Sequence, residues 1–94
     1  MKHTTSLNQT TKLIELGLPK PRYYSADKYT IIYIGFEIIN YSIGDLIEIL
    51  DSQGIEIQNF GYWIVEHEWY TSTKDELIDA LYDCIVKLKE LKKL

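Results

Sequence analysis

The chain has 94 residues, 46% of them hydrophobic and 26% charged, with a formal net charge of −4; this fits one folded domain over 1–94, with 1–5 expected to be flexible, and excludes a disordered chain or a deep two-lobed cleft. A single cysteine, Cys84, allows neither an internal disulfide nor zinc-ligand spacing, which points to a reducing compartment. The opening MKHTTSLNQTTK has no apolar leader core, and YTIIYIGFEII is interrupted by Gly35 and Glu37, so a cytoplasmic protein without membrane contact is expected.

Along the chain, Ser6-Leu7-Asn8-Gln9 has capping-box spacing and predicts a helix opening near Leu7, which Gly17 and Leu18-Pro19 close. After Pro19 and Pro21, the β-branched and aromatic run at 29–36 predicts a strand with two apolar faces. Ser42-Ile43-Gly44-Asp45 repeats the capping signal, and Ile43, Leu46, Ile47 and Leu50 form a helical stripe that Ser52-Gln53-Gly54 breaks. Residues 55–60 alternate as a strand, and Asn59-Phe60-Gly61 can turn it into a second strand over 62–70. Thr73-Lys74-Asp75-Glu76 reads as a further capping box for a long C-terminal helix, chiefly 74–92. Its apolar stripe is Leu77, Ile78, Leu81, Cys84, Ile85, Leu88 and Leu91. The expected architecture is a small α+β domain: an antiparallel sheet of about three strands, covered on one face by helices.

Charge is unevenly spread. Between Tyr29 and Val86 the only lysine or arginine is Lys74, whereas Lys87, Lys89, Lys92 and Lys93 crowd the C-terminus. The acidic middle would repel a polyanion over roughly 8–10 Å, so nucleic acid is not the expected partner. The terminal lysines suit a helix end, where cations oppose the macrodipole.

The stretch WIVEHEWY, 63–70, holds a histidine between two glutamates. In an extended strand Trp63, Val65, His67 and Trp69 share one face while Ile64, Glu66 and Glu68 share the other. Such a strand cannot deliver His67, Glu66 and Glu68 to one metal ion, and no catalytic, metal or cofactor site is expected. Cys84 lies on the apolar stripe as a core residue. No phosphate-cradling glycine pattern is present, so no cofactor is implied. Eight tyrosines and two tryptophans are more rings than so small a core hides completely, so they either form a contact surface or fill a β-rich core with their hydroxyls at its rim. Tyr82 and Val86 fall off the helical stripe and call for cover from another element or a partner.

The segments KLIELGLP (12–19), NYSIGDLIEIL (40–50), GYWIV (61–65) and ELIDALYDCIVKLKE (76–90), in that order, resemble a family of small uncharacterised proteins of phages, prophages and mobile elements of gut bacteria. The resemblance implies a small intracellular α+β protein with no assigned catalytic or binding residues. Relatives often carry a proline and a tryptophan where this chain has Asn40 and Lys87.

The expected function is a non-catalytic interaction module acting through an acidic, Tyr-rich surface made of Tyr62, Glu66, Glu68, Tyr70, Tyr82 and Val86. Its partner would be an unidentified protein or a second copy in a homodimer. Two alternatives are a weak metal-dependent hydrolase using Glu66, Glu68 and His67, and a nucleic-acid-associated regulator using the C-terminal lysines.

Overall fold

A computed structural model of the chain describes residues 2–19 and 40–94. Within them the elements are α1 (Leu7–Glu15), α2 (Ile43–Leu50), a 3-10 turn (Asp51–Gln53), β1 (Glu56–Asn59), β2 (Trp63–His67), β3 (Tyr70–Lys74) and α3 (Leu77–Glu90). The three strands form one antiparallel sheet in the order β1-β2-β3, giving the expected α+β fold. The strand predicted over 29–36 lies outside the described residues.

The first two helices start where their capping residues place them. Ser6 Oγ accepts the Gln9 N–H and Gln9 Oε1 accepts the Ser6 N–H; Ser42 and Asp45 repeat the exchange at α2. Each box satisfies two N-terminal amides that the helix itself leaves unpaired. At the end of α1, Gly17 adopts φ 87°. Its N–H donates to the Ile14 carbonyl and that of Leu18 to Leu13. This is a Schellman closure, with Leu13 and Leu18 buried beside it. α3 ends the same way, Lys92 N–H donating to Lys89 and Lys93 N–H to Leu88. Here, however, the left-handed position is held by Lys92 at φ 58°.

The third predicted boundary is corrected. Thr73 and Lys74 complete β3, and α3 starts only at Leu77, with Glu76 at its N-cap and no side-chain cap bond. Pairing Ile64↔Thr73 and Trp63↔Lys74 claims both residues for the ladder, so the local capping signal loses to cross-strand hydrogen bonds. The strand predicted over 62–70 is likewise two elements. β2 stops at His67, and Glu68-Trp69 form a two-residue turn into β3.

α3 packs across β2 and β3 and against α2. Its side chains Ile78, Leu81, Cys84, Ile85 and Leu88 are fully buried with Leu46 and Leu50 of α2, Val65 of β2 and Leu13 of α1. Each such side chain contributes roughly 1.5–3 kcal/mol of burial where it is large and apolar. Tyr82 and Val86, predicted off the stripe, are half-buried and packed on the edge of this core.

Residues 3–5 make backbone contacts with the segment that opens α2. Thr4 bridges Ser42, the His3 carbonyl accepts the Ile43 N–H, and Thr5 is buried. A chain of polar contacts runs beneath it. Tyr41 N–H donates to Thr5 Oγ1 at 3.0 Å, Thr5 Oγ1 lies 2.6 Å from Thr10 Oγ1, and Thr10 donates to Asn40 Oδ1 at 2.7 Å. Since the Thr10 proton goes to Asn40, the Thr5 hydroxyl donates to Thr10, and every group in the relay has a partner. The Tyr41 hydroxyl donates onward to the Pro19 carbonyl.

Two substitutions test these readings. Lys92→Gly relieves the left-handed strain and is expected to stabilise the protein by about 0.5–1 kcal/mol, seen as a higher urea midpoint at unchanged slope. Thr10→Val keeps the shape but leaves buried partners unpaired, and should destabilise by about 1–3 kcal/mol in the same titration.

Candidate functional site

The alternation of β2 sets where its side chains go. Trp63, Val65 and His67 face α3 together with Ile57 of β1 and Tyr70 and Ser72 of β3, while Ile64 and Glu66 face away. Glu66 is exposed on that outer face, directly opposite Glu56 of β1. Two like charges in register oppose each other, so the pair is retained at a cost to the sheet. Glu68 is exposed in the β2–β3 turn rather than in line with Glu66. His67, Glu66 and Glu68 therefore do not converge. Among the described residues, no three histidine, cysteine or carboxylate side chains are placed to hold a metal ion.

Both ring nitrogens of His67 are engaged. Nδ1 accepts the Trp69 N–H at 3.0 Å, and Nε2 lies 3.2 Å from Gln53 Oε1. With Nδ1 an acceptor, the ring proton sits on Nε2 and donates to Gln53.

Behind the sheet, Asp83 of α3 collects two donors on one oxygen. The Tyr70 hydroxyl lies at 2.7 Å and the Ser72 hydroxyl at 2.8 Å from Oδ2. The hydrogen bond to Asp83 comes first in raising the Tyr70 phenol to about 12, followed by burial and the carboxylate charge. Lys87, one turn along α3 from Asp83, stands 5.9 Å from the centre of the Tyr70 ring. Tyr70 is thus a strut between sheet and helix. Burial, and then Asp83, push the neighbouring Cys84 thiol to about 11, so it is neutral and poorly nucleophilic near pH 7.

A shallow groove of about 340 Å³ is lined by Gln9 of α1, Lys74, and Asp79, Tyr82 and Asp83 of α3. The carboxylate of Asp79 in it is already paired. The Lys2 ammonium lies 3.0 and 3.2 Å from the two Asp79 oxygens, and Gln9 Nε2 donates to Asp79 at 2.9 Å. Burial works against the Asp79 charge, but the hydrogen bonds from Gln9 and Lys2 and the nearby ammonium groups prevail and hold this carboxyl below its usual range. Burial, then Asp83, raises the Tyr82 phenol.

The six residues expected to form one surface are dispersed. Tyr62, exposed, stands in the β1–β2 loop, Glu66 on the outer sheet face and Glu68 in the opposite turn. Tyr70, Tyr82 and Val86 are half-buried on the α3 side. Phe60, which is not among those six, is 64% exposed beside Tyr62 at 43%. Its place in a three-residue hairpin loop around Gly61 was the available clue. The loop is well defined: Gly61 takes φ 87° and donates its N–H to Asn59 Oδ1, while Phe60 N–H donates to the Tyr62 carbonyl. Trp69 is 55% exposed at the other end of β2, with the Lys93 ammonium 4.4 Å from the centre of its ring.

No protein-family model matches this chain, and no curated protein or solved structure shows significant similarity to it.

The Tyr70–Asp83 bond has a pH signature. A phenol whose folded-state pKa is raised above about 10 stabilises the fold fully below pH 10. That contribution fades as pH climbs through about 12. Urea midpoints measured from pH 8 to 11.5 should fall less steeply above pH 10 for Tyr70→Phe than for the parent protein.

Proposed function

We propose that this chain is a non-catalytic protein-interaction module, an accessory protein of a phage or integrated element, the latter resting on the sequence resemblance alone. The observation that carries the interaction reading is the β1–β2 loop. Phe60 and Tyr62 stand in water on a short, hydrogen-bonded hairpin. Such exposure gives up roughly 1.5–3 kcal/mol of burial for a large apolar ring. Aromatic side chains fixed in this way lose little further freedom on docking, which is what favours them as anchors at interfaces.

The outer sheet face adds the acidic element. Glu56 and Glu66 form an exposed pair on the two strands that carry the loop. A partner offering an apolar pocket rimmed by lysine or arginine would cover the rings and relieve the repulsion between the two carboxylates. This favours a cationic protein surface over a polyanion as partner. The C-terminal lysines give less support to nucleic-acid binding, since Lys93 lies over Trp69 and Lys87 beside the Tyr70 ring.

Capture from a lysate of the native host tests the proposal. Phe60→Ala combined with Tyr62→Ala is expected to weaken the retained partner roughly tenfold or more, at unchanged thermal stability. Glu56→Gln with Glu66→Gln should lower retention and its sensitivity to salt. Unchanged retention by both double variants, or binding unaffected by about 0.5 M salt, where screening acts beyond about 4 Å, would remove this reading. The mass of the purified protein in solution distinguishes a second copy from a different partner.

A further inference from the structure

The β2–β3 turn is poorly matched to its own sequence. Two-residue hairpins favour turns with positive φ, usually supplied by glycine or asparagine. Here the turn residues are Glu68 and Trp69, and neither has positive φ. His67 supplies what the turn residues do not: its Nδ1 accepts the Trp69 N–H at 3.0 Å, two residues along, as an asparagine side chain does in an Asx turn. The other face of the ring is anchored outside the hairpin, on Gln53 of the 3-10 turn.

We infer that His67 is a proton-sensitive latch on this turn, controlling how Trp69 is presented. The lone pair on Nδ1 that receives the Trp69 amide is the same one that binds a proton. When the imidazole takes up a proton there, both ring nitrogens become donors. The Nε2–H bond to Gln53 persists, the Trp69 N–H loses its acceptor, and two N–H groups are left facing each other. The turn must then rearrange, carrying with it an indole that is 55% exposed and lies under Lys93.

The charged and titratable groups around the ring come from several elements. Tyr70 pairs directly opposite on β3, with its hydroxyl on Asp83 of α3 and Lys87 beside its ring. Glu68 lies in the turn, and Lys93 sits over Trp69. Glu66 projects from the opposite sheet face, and Gln53 is neutral. The latch does not depend on the partner proposed above, because it concerns the free protein.

The test uses the full chain labelled with nitrogen-15, followed by NMR as the pH is lowered from 8 until the His67 ring nitrogens report the charged imidazole. The Trp69 amide and the His67 ring nitrogens should shift along one titration curve. At high pH the ring should show the tautomer protonated on Nε2. His67→Asn is the control: its Oδ1 can accept the same amide and has no proton to gain, so the Trp69 amide should stay flat. Trp63→Phe leaves Trp69 as the only indole, and its emission should change with the same midpoint. A Trp69 amide that stays still while the imidazole titrates, or that moves equally in His67→Asn, would overturn the inference.

Discussion

Everything described in this fold is organised around one long helix that buries its apolar side against two unlike neighbours at once. Ile78, Leu81, Ile85 and Leu88 of α3 meet the sheet through β2 and β3 and meet α2 through Leu46 and Leu50. No partner in this set holds a sizeable core by itself. A three-stranded sheet of strands four or five residues long and an eight-residue helix are each marginal alone, and α3 makes them one cooperative unit. Directional polar contacts then fix how they sit. Asp83 ties Tyr70 and Ser72 of the sheet to the helix, and Lys2 and Gln9 hold the chain's beginning to Asp79.

Among the described residues, the same arrangement separates two sets of aromatic side chains. Tyr41, Tyr70 and Tyr82 have rings or hydroxyls engaged with the interior, and burial or neighbouring carboxylates raise their phenols. Phe60, Tyr62 and Trp69 are left at the two ends of β2, each on a turn. Turns at sheet ends are where a small domain can leave rings in water without opening its core. The interaction reading and the latch at His67 therefore concern opposite ends of the same strand.

Some features were readable because they are local. The capping boxes at Ser6 and Ser42 need only residues three apart, and Gly17 ends α1 through its own backbone freedom. Thr73-Lys74-Asp75-Glu76 has equally good spacing yet does not cap, because β2 offers Thr73 and Lys74 ladder bonds from outside the segment. β3 itself was hidden by the turn before it. Glu68-Trp69 has none of the usual hairpin residues, and the side chain that supports it lies in the preceding strand. The expected surface dispersed for a related reason: residues such as Glu66, Tyr70 and Tyr82 are close in sequence but separated by a sheet with two faces.

By itself, the sequence determined the starts of α1 and α2, the apolar stripe of α3, the hairpin around Gly61 and the separation of His67 from Glu66, because each follows from a period or spacing within one segment. Only tertiary structure decided where α3 begins, that residues 3–5 meet the segment that opens α2, that Asp83 holds Tyr70 and Ser72, and that His67 closes a turn. Those outcomes depend on which distant donor meets which acceptor, and that pairing is settled when the helix packs on the sheet.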